Sequence, residues 1–154
     1  MKRSPLSAFF ALLLLSVSAF AAPELTIRHG AQTLVFDREE LETFPQTTIV
    51  TATPYFDGTR EFTGPTLRRV LEAFGLAGQR GLTFRALNDY QVTATLDELM
   101  GLGAIVATRM DGNLMSVRNR GPFWIMLPLS DRPALNNETF HRYMVWQLSA
   151  IELD

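Results

Sequence analysis

Apolar and polar residues alternate in short stretches broken by turn residues, the period-two pattern of half-buried strands, while three-to-four spacing is confined to brief segments. Glu24 to His29 and Gln32 to Phe36 read as a hairpin across His29-Gly30-Ala31. Asp37 with Glu40 three residues on is a capping-box signal for a short helix ending before Pro45, and Gln46 to Thr53 is a Thr/Val/Ile strand. The clearest helix runs from Pro65 to Phe74, with Leu67, Val70, Leu71 and Phe74 on one stripe and Gly75 as the stop. Strands follow at Leu82 to Leu87 and Gln91 to Thr95, then a short helix at Leu96 to Met100. Ala104 to Met110 and Leu114 to Val117 form a hairpin around Asp111-Gly112-Asn113. Phe123 to Leu129 reads as a buried strand, Glu138 to Arg142 as a short helix and Val145 to Leu153 as a last strand. These elements specify an α+β domain, mixed and mostly β, with a few short helices and neither internal repeat nor linker.

The first residues break the pattern. Lys2 and Arg3 precede an apolar run from Leu6 to Val17 and then Ser18-Ala19-Phe20-Ala21, the order of a secretory signal peptide with cleavage after Ala21. The run is about a dozen residues, short of the about 20 a spanning helix needs. The expected organisation is therefore a signal peptide over residues 1–21 and a single domain over 22–154, periplasmic or secreted by a Sec-type route, with no transmembrane segment after cleavage. Removing 21 of the 154 residues takes away Lys2 and Arg3, so 133 residues remain and the formal charge moves from −2 to −4. All twelve cations left are arginines, which suit planar contacts to carboxylates and oxyanions.

Charge and composition exclude several chemistries. A mildly acidic chain is no nucleic-acid binder, and zero cysteine removes disulfides, thiolate metal sites and a cysteine nucleophile together. Ser116, Ser130 and Ser149 lie in no Gly-x-Ser-x-Gly elbow, and His29 and His141 are far apart in sequence and outside any metal-ligand spacing. Gly101 and Gly103 precede a strand and so build no phosphate loop; Asp57 and Glu61 flank Gly58 in what reads as a turn. Phe123, Trp124 and Trp146 are assigned to the core.

Two segments remain as binding candidates. In Arg118-Asn119-Arg120-Gly121-Pro122, an extended backbone would point Arg118 and Arg120 the same way, and Gly121 would let a ligand approach, which together make an oxyanion clamp. Asn88-Asp89-Tyr90 is the second, with an Asx turn between strands as its structural alternative.

The order Thr51 to Thr53, Phe62-Thr63-Gly64-Pro65 opening the helix to Gly75, Asn88-Asp89-Tyr90, the Ala104 to Met110 strand, Asp111-Gly112, and the Gly121-Pro122 to Pro128 strand resembles the sulfite-oxidase type molybdopterin-binding domain over most of residues 46–153. The resemblance implies the same mixed, mostly β fold and a pterin pocket, to which Asn88, Asp89, Tyr90, Arg118, Arg120 and Gly121 would contribute as cofactor-binding residues. It also implies a molybdenum-ligating cysteine near position 52, where this chain has Ala52 between threonines. Neither residue type replaces a thiolate. Export of such enzymes with the cofactor inserted implies a twin-arginine signal, and only Lys2-Arg3 is present.

Together these readings lead to the expectation of a degenerate molybdopterin-binding scaffold acting as a non-catalytic binding or sensory module in the periplasm. No metal and no cofactor are expected; molybdopterin is what the resemblance implies, and the missing cysteine argues against it. The expected partners are a small anionic ligand or an envelope protein. One alternative is a molybdopterin-dependent oxidoreductase or accessory redox subunit, binding a pterin or oxyanion through Arg118, Arg120 and Asn88. Another is a partner-binding subunit of a membrane sensor.

Overall fold

The computed structural model describes residues 21–77 and 81–154. The signal-peptide assignment falls almost wholly on residues 1–20, outside the described residues. Strands β1 (Glu24–His29) and β2 (Gln32–Asp37) form the expected hairpin, with Leu25 and Ile27 fully buried. Asp37 caps α1 (Arg38–Thr43): its carboxylate accepts from the Glu40 amide at 2.8 Å while the Glu40 side chain accepts from the Asp37 amide at 2.9 Å. Strand β3 (Gln46–Thr53) then turns at Pro54-Tyr55 into β4 (Phe56–Pro65).

Strand β4 is the element the residue pattern misses. Asp57 and Glu61 do not flank a turn; they lie in β4, where the register with β3 shifts and Gly58, at φ +75°, accommodates a bulge. Pro65 correspondingly ends this strand instead of opening the helix. Thr66 is the true cap of α2 (Leu67–Leu71), its hydroxyl accepting from the Arg69 amide, and a 3-10 turn at Glu72–Phe74 completes the stripe up to Gly75.

Strands β5 (Gly81–Ala86) and β6 (Gln91–Thr95) and helix α3 (Leu96–Met100) fall where the spacing places them. The run Ala104 to Met110 is not one strand. It divides at buried Thr108 into β7 (Ile105–Ala107) and β8 (Arg109–Met110), which join different sheets. β9 (Asn113–Leu114) closes a two-residue hairpin on β8, so Val117 belongs to the 3-10 turn Val117–Asn119 and not to a strand. β10 (Trp124–Met126), α4 (Glu138–His141) and β11 (Leu148–Leu153) complete the chain.

The strands assemble as a five-stranded sheet ordered β2-β1-β11-β5-β6, a four-stranded sheet ordered β3-β4-β8-β9, and the ribbon β10-β7. β1 and β11 pair in parallel; the other pairings are antiparallel. The ribbon joins the two sheets. The Thr108 amide donates to Thr63 on β4, and the Leu148 amide on β11 donates to Phe123 just before β10. Gly64 permits the first approach, since a Cβ there would land on the Val106 carbonyl. One hydrophobic cluster takes residues from both sheets, the ribbon, α2 and α3, with Phe62, Phe84, Phe123, Trp124 and Tyr143 fully buried.

Candidate functional site

The β3–β4 turn, the β5–β6 turn, the loop before β10 and the segment between α4 and β11 converge on one region. Its centre is Arg120. The residue follows the 3-10 turn in the left-handed conformation, φ 65° and ψ 8°, uncommon for a side chain with a Cβ. Gln147, at φ 51°, fixes that conformation twice: its amide donates to the Arg120 carbonyl at 2.9 Å and its side-chain amide donates to the Val117 carbonyl at 2.9 Å.

Held in this way, the guanidinium enters a box of four aromatic rings. Its central carbon is 4.7 Å from the Phe56 ring centroid, 5.6 Å from Trp146, 5.7 Å from Trp124 and 5.9 Å from Tyr55. Each lies within the range of cation–π attraction. The rings brace one another edge to face, Tyr55 on Trp146 at 4.9 Å and Trp124 on Trp146 at 6.2 Å, with Phe62 behind Trp124 at 5.4 Å. The buried Trp124 indole N–H is satisfied by the Met144 carbonyl at 3.0 Å. Arg28, Arg60, Arg69, Arg85 and Arg109 have carboxylate partners; among the described residues Arg120, like Arg38, Arg68, Arg118, Arg132 and Arg142, has none, and its side chain makes one hydrogen bond, a 3.5 Å contact to the Tyr55 carbonyl.

Behind the Tyr55–Trp146 wall lies a cleft of about 190 Å³, lined by Tyr55, Ala86, Asn88, Tyr90, His141, Arg142, Met144, Val145 and Trp146. Two tyrosines cross its ends from opposite sheets. The Tyr55 hydroxyl donates to the His141 carbonyl at 3.3 Å and the Tyr90 hydroxyl to the Arg142 carbonyl at 3.2 Å. Burial raises the pKa of Tyr55 above the usual phenol value; nearby Tyr90 adds to the shift and the Arg120 charge opposes it. No acidic side chain lines the cleft.

The six residues expected from sequence divide unevenly. Asn88 and Tyr90 line the cleft. Asp89 does not: it sits at φ 66° at the tip of the β5–β6 turn, and the Asn88 side chain accepts from the Tyr90 amide, so the Asx turn and a place in the cleft coexist. The paired clamp fails on backbone geometry. The segment is a 3-10 turn followed by a left-handed residue, not an extended strand, so strand alternation does not align Arg118 with Arg120; Arg118 is exposed and outside the box. Gly121 serves the chain's own packing. A Cβ there would meet the Met115 carbonyl, and its amide donates to Ser116 at 2.8 Å. Tyr55, Phe56 and half-buried Trp146 were not legible as site residues, because their rings meet only once β3–β4 and the segment before β11 are brought together. Trp124 and Phe123 are core, as expected.

Ala52 lies near this region, at the end of β3. Its amide donates to the Ser130 hydroxyl at 2.9 Å, and the Thr51 hydroxyl accepts from the Ser130 amide at 3.0 Å. Hydroxyls and a methyl group are what the chain offers there. They do not supply the thiolate ligand that the resemblance implies for molybdenum, and the described residues hold no cluster of three His, Cys, Asp or Glu side chains that could take a metal. The cleft is also smaller than the roughly 300 Å³ at which pockets for larger organic ligands begin.

Comparison with known proteins agrees with this architecture. The family model described as oxidoreductase molybdopterin binding domain matches residues 22–130. The fold is similar to that in the crystal structure of the sulfane dehydrogenase SoxCD from Paracoccus pantotrophus, with a TM-score of 0.64 and 16% identity over 85% of this chain. The chain spans 38% of that protein's length, and the likeness is one of fold. No curated protein matches the chain in sequence.

Proposed function

Because the chain belongs to the oxidoreductase molybdopterin binding domain family, we propose that it is a non-catalytic member, an exported domain that keeps the scaffold, dispenses with the metal and binds a small anionic ligand beside Arg120. The family implies molybdopterin; this reading holds that the present chain does not carry it as a working centre. The observation that carries the proposal is the pairing of Ala52, where the resemblance places a thiolate, with a fixed guanidinium that no carboxylate neutralises. Such a cation is free to take an oxyanion or a carboxylate.

Purified protein is expected to contain no stoichiometric molybdenum by elemental analysis. A native-state ligand at 100 times its Kd stabilises by about 2.7 kcal/mol, enough for thermal-shift screening with sulfate, sulfite, phosphate and carboxylates. Arg120→Ala is expected to abolish the shift and Arg118→Ala to leave it. Bound molybdenum, or an anion shift that survives loss of Arg120, refutes the proposal.

A second reading, partner binding in an envelope complex, is favoured by β3, an edge strand of eight residues without a charged side chain. Uncharged edges invite strand addition. Val50→Lys, at an exposed position on that edge, would then abolish association with the partner and leave ligand shifts intact.

A further inference from the structure

We infer that the cleft behind Tyr55 and Trp146 takes a single-ring aromatic carboxylate. The inference rests on the anion-binding reading and names its ligand class. Three rings, Tyr55, Tyr90 and Trp146, face a ligand there, and Ala86, Met144 and Val145 supply further apolar wall. An inorganic oxyanion would leave all of this surface unused. Aromatic pairs contribute about 0.5–1.5 kcal/mol beyond the area they bury, so a flat ring exploits the walls where a tetrahedral anion does not.

The polar groups select the charge. Asn88 spends its carbonyl oxygen on the Tyr90 amide, which leaves its NH₂ as a donor. The Trp146 indole N–H makes no hydrogen bond among the described residues. Both tyrosine hydroxyl protons are committed to backbone carbonyls. Arg142 lines the cleft while its guanidinium sits 4.6 Å over the Tyr143 ring and donates to the Tyr143 hydroxyl, Arg120 lies against the other side of the Tyr55–Trp146 wall, and no lining residue is acidic. Two N–H donors without a partner among the described residues, on Asn88 and Trp146, with arginines at the margin and no carboxylate in the lining describe a site for a carboxylate.

Size selects the rest. About 190 Å³ is room for one ring bearing a carboxylate and lies at the small end for an organic ligand.

The test is titration of the full chain with benzoate and phenylacetate, with cyclohexanecarboxylate as the non-aromatic acid, benzamide as the neutral ring, and sulfate and sulfite as inorganic anions. The chain has two tryptophans, Trp124 and Trp146, and both border the box, so intrinsic fluorescence reports occupancy directly. The expected result is saturable quenching by an aromatic carboxylate, with the non-aromatic acid at least three-fold weaker. Asn88→Asp, which keeps the turn-forming oxygen and adds a negative charge, is expected to weaken benzoate at least ten-fold and leave the melting temperature nearly unchanged. If sulfate or sulfite bind through Arg120 and no aromatic carboxylate does, this inference is wrong and the anion-binding reading stands. If benzamide binds as well as benzoate and Asn88→Asp changes nothing, the carboxylate assignment is wrong. If no anion binds, both readings fall.

Discussion

Replacing Arg120 by alanine removes a guanidinium from four rings and leaves the backbone in a left-handed conformation that alanine dislikes as much as arginine does. A single cation–π contact contributes about 0.5–1 kcal/mol when exposed and about 2 when desolvated. Arg120 is half-buried and shares one charge among four rings at 4.7–5.9 Å, so the contacts do not simply add. A total near 2 kcal/mol is reasonable, plus the packing of the aliphatic stem. Arg120→Ala should therefore lower stability by about 2–3 kcal/mol. Glycine at the same position loses the same contacts but adopts φ 65° freely, and should recover about 1 kcal/mol of that loss. Urea unfolding followed by tryptophan fluorescence measures both, with urea preferred because guanidinium itself competes for an aromatic box. An alanine variant as stable as the native chain would show that the box does not hold the arginine. A glycine variant less stable than the alanine one would refute the backbone part of the reasoning.

Gly64→Ala should be among the most damaging single-methyl additions, destabilising by about 3 kcal/mol, because the new carbon meets backbone at Val106 and cannot be relieved by a rotamer change; thermal unfolding reports it. Arg109, hydrogen-bonded to Glu42 at 2.8 Å, holds that carboxylate below the usual glutamate range. Since the folded-state pKa is the lower one, the pair contributes stability above the unfolded value of about 4.3 and loses it as pH falls through the folded value. The melting-temperature gap between the native chain and Glu42→Gln should thus be widest near neutral pH and close in acid; a gap independent of pH would contradict this. Asp37→Ala removes half of the capping box and should cost about 1 kcal/mol in chemical denaturation, with Asp37→Ser largely restoring it.

Local rules carry the sequence a long way in this fold. The capping box at Asp37, the strands Gln46–Thr53 and Gln91–Thr95 and the helix Leu96–Met100 all have signals within a few residues of themselves. What local rules miss depends on a distant partner. β4 carries Asp57, Arg60 and Glu61 with a glycine bulge, a turn-like composition, and becomes a strand because β3 pairs along its length while Asp111 binds Arg60 and the Glu61 amide from the other side. The Ala104–Met110 run divides because Thr108 is claimed by Glu42 and Thr63, which no pattern within the run announces. The site follows the same division. Arg120 and Tyr90 stand out by residue type and neighbourhood. Tyr55 and Trp146 join them only through contacts that span the chain, and the left-handed turn at Arg120 is what separates it from Arg118.

The position of β11 bears on how the chain reaches this state. The strand farthest along the described chain, β11, lies in the middle of the five-stranded sheet, between β1 and β5. Until residue 153 is available, β1–β2 and β5–β6 are separate hairpins, each with an unpaired inner edge. Isolated hairpins are marginal in water. Assembly of this sheet is therefore expected to be all-or-none and to wait for β11, with a transition state that must close the long loop between β1 and β11. Fragments ending before Leu148 should be protease-sensitive throughout, and extension through Leu153 should protect both hairpins at once.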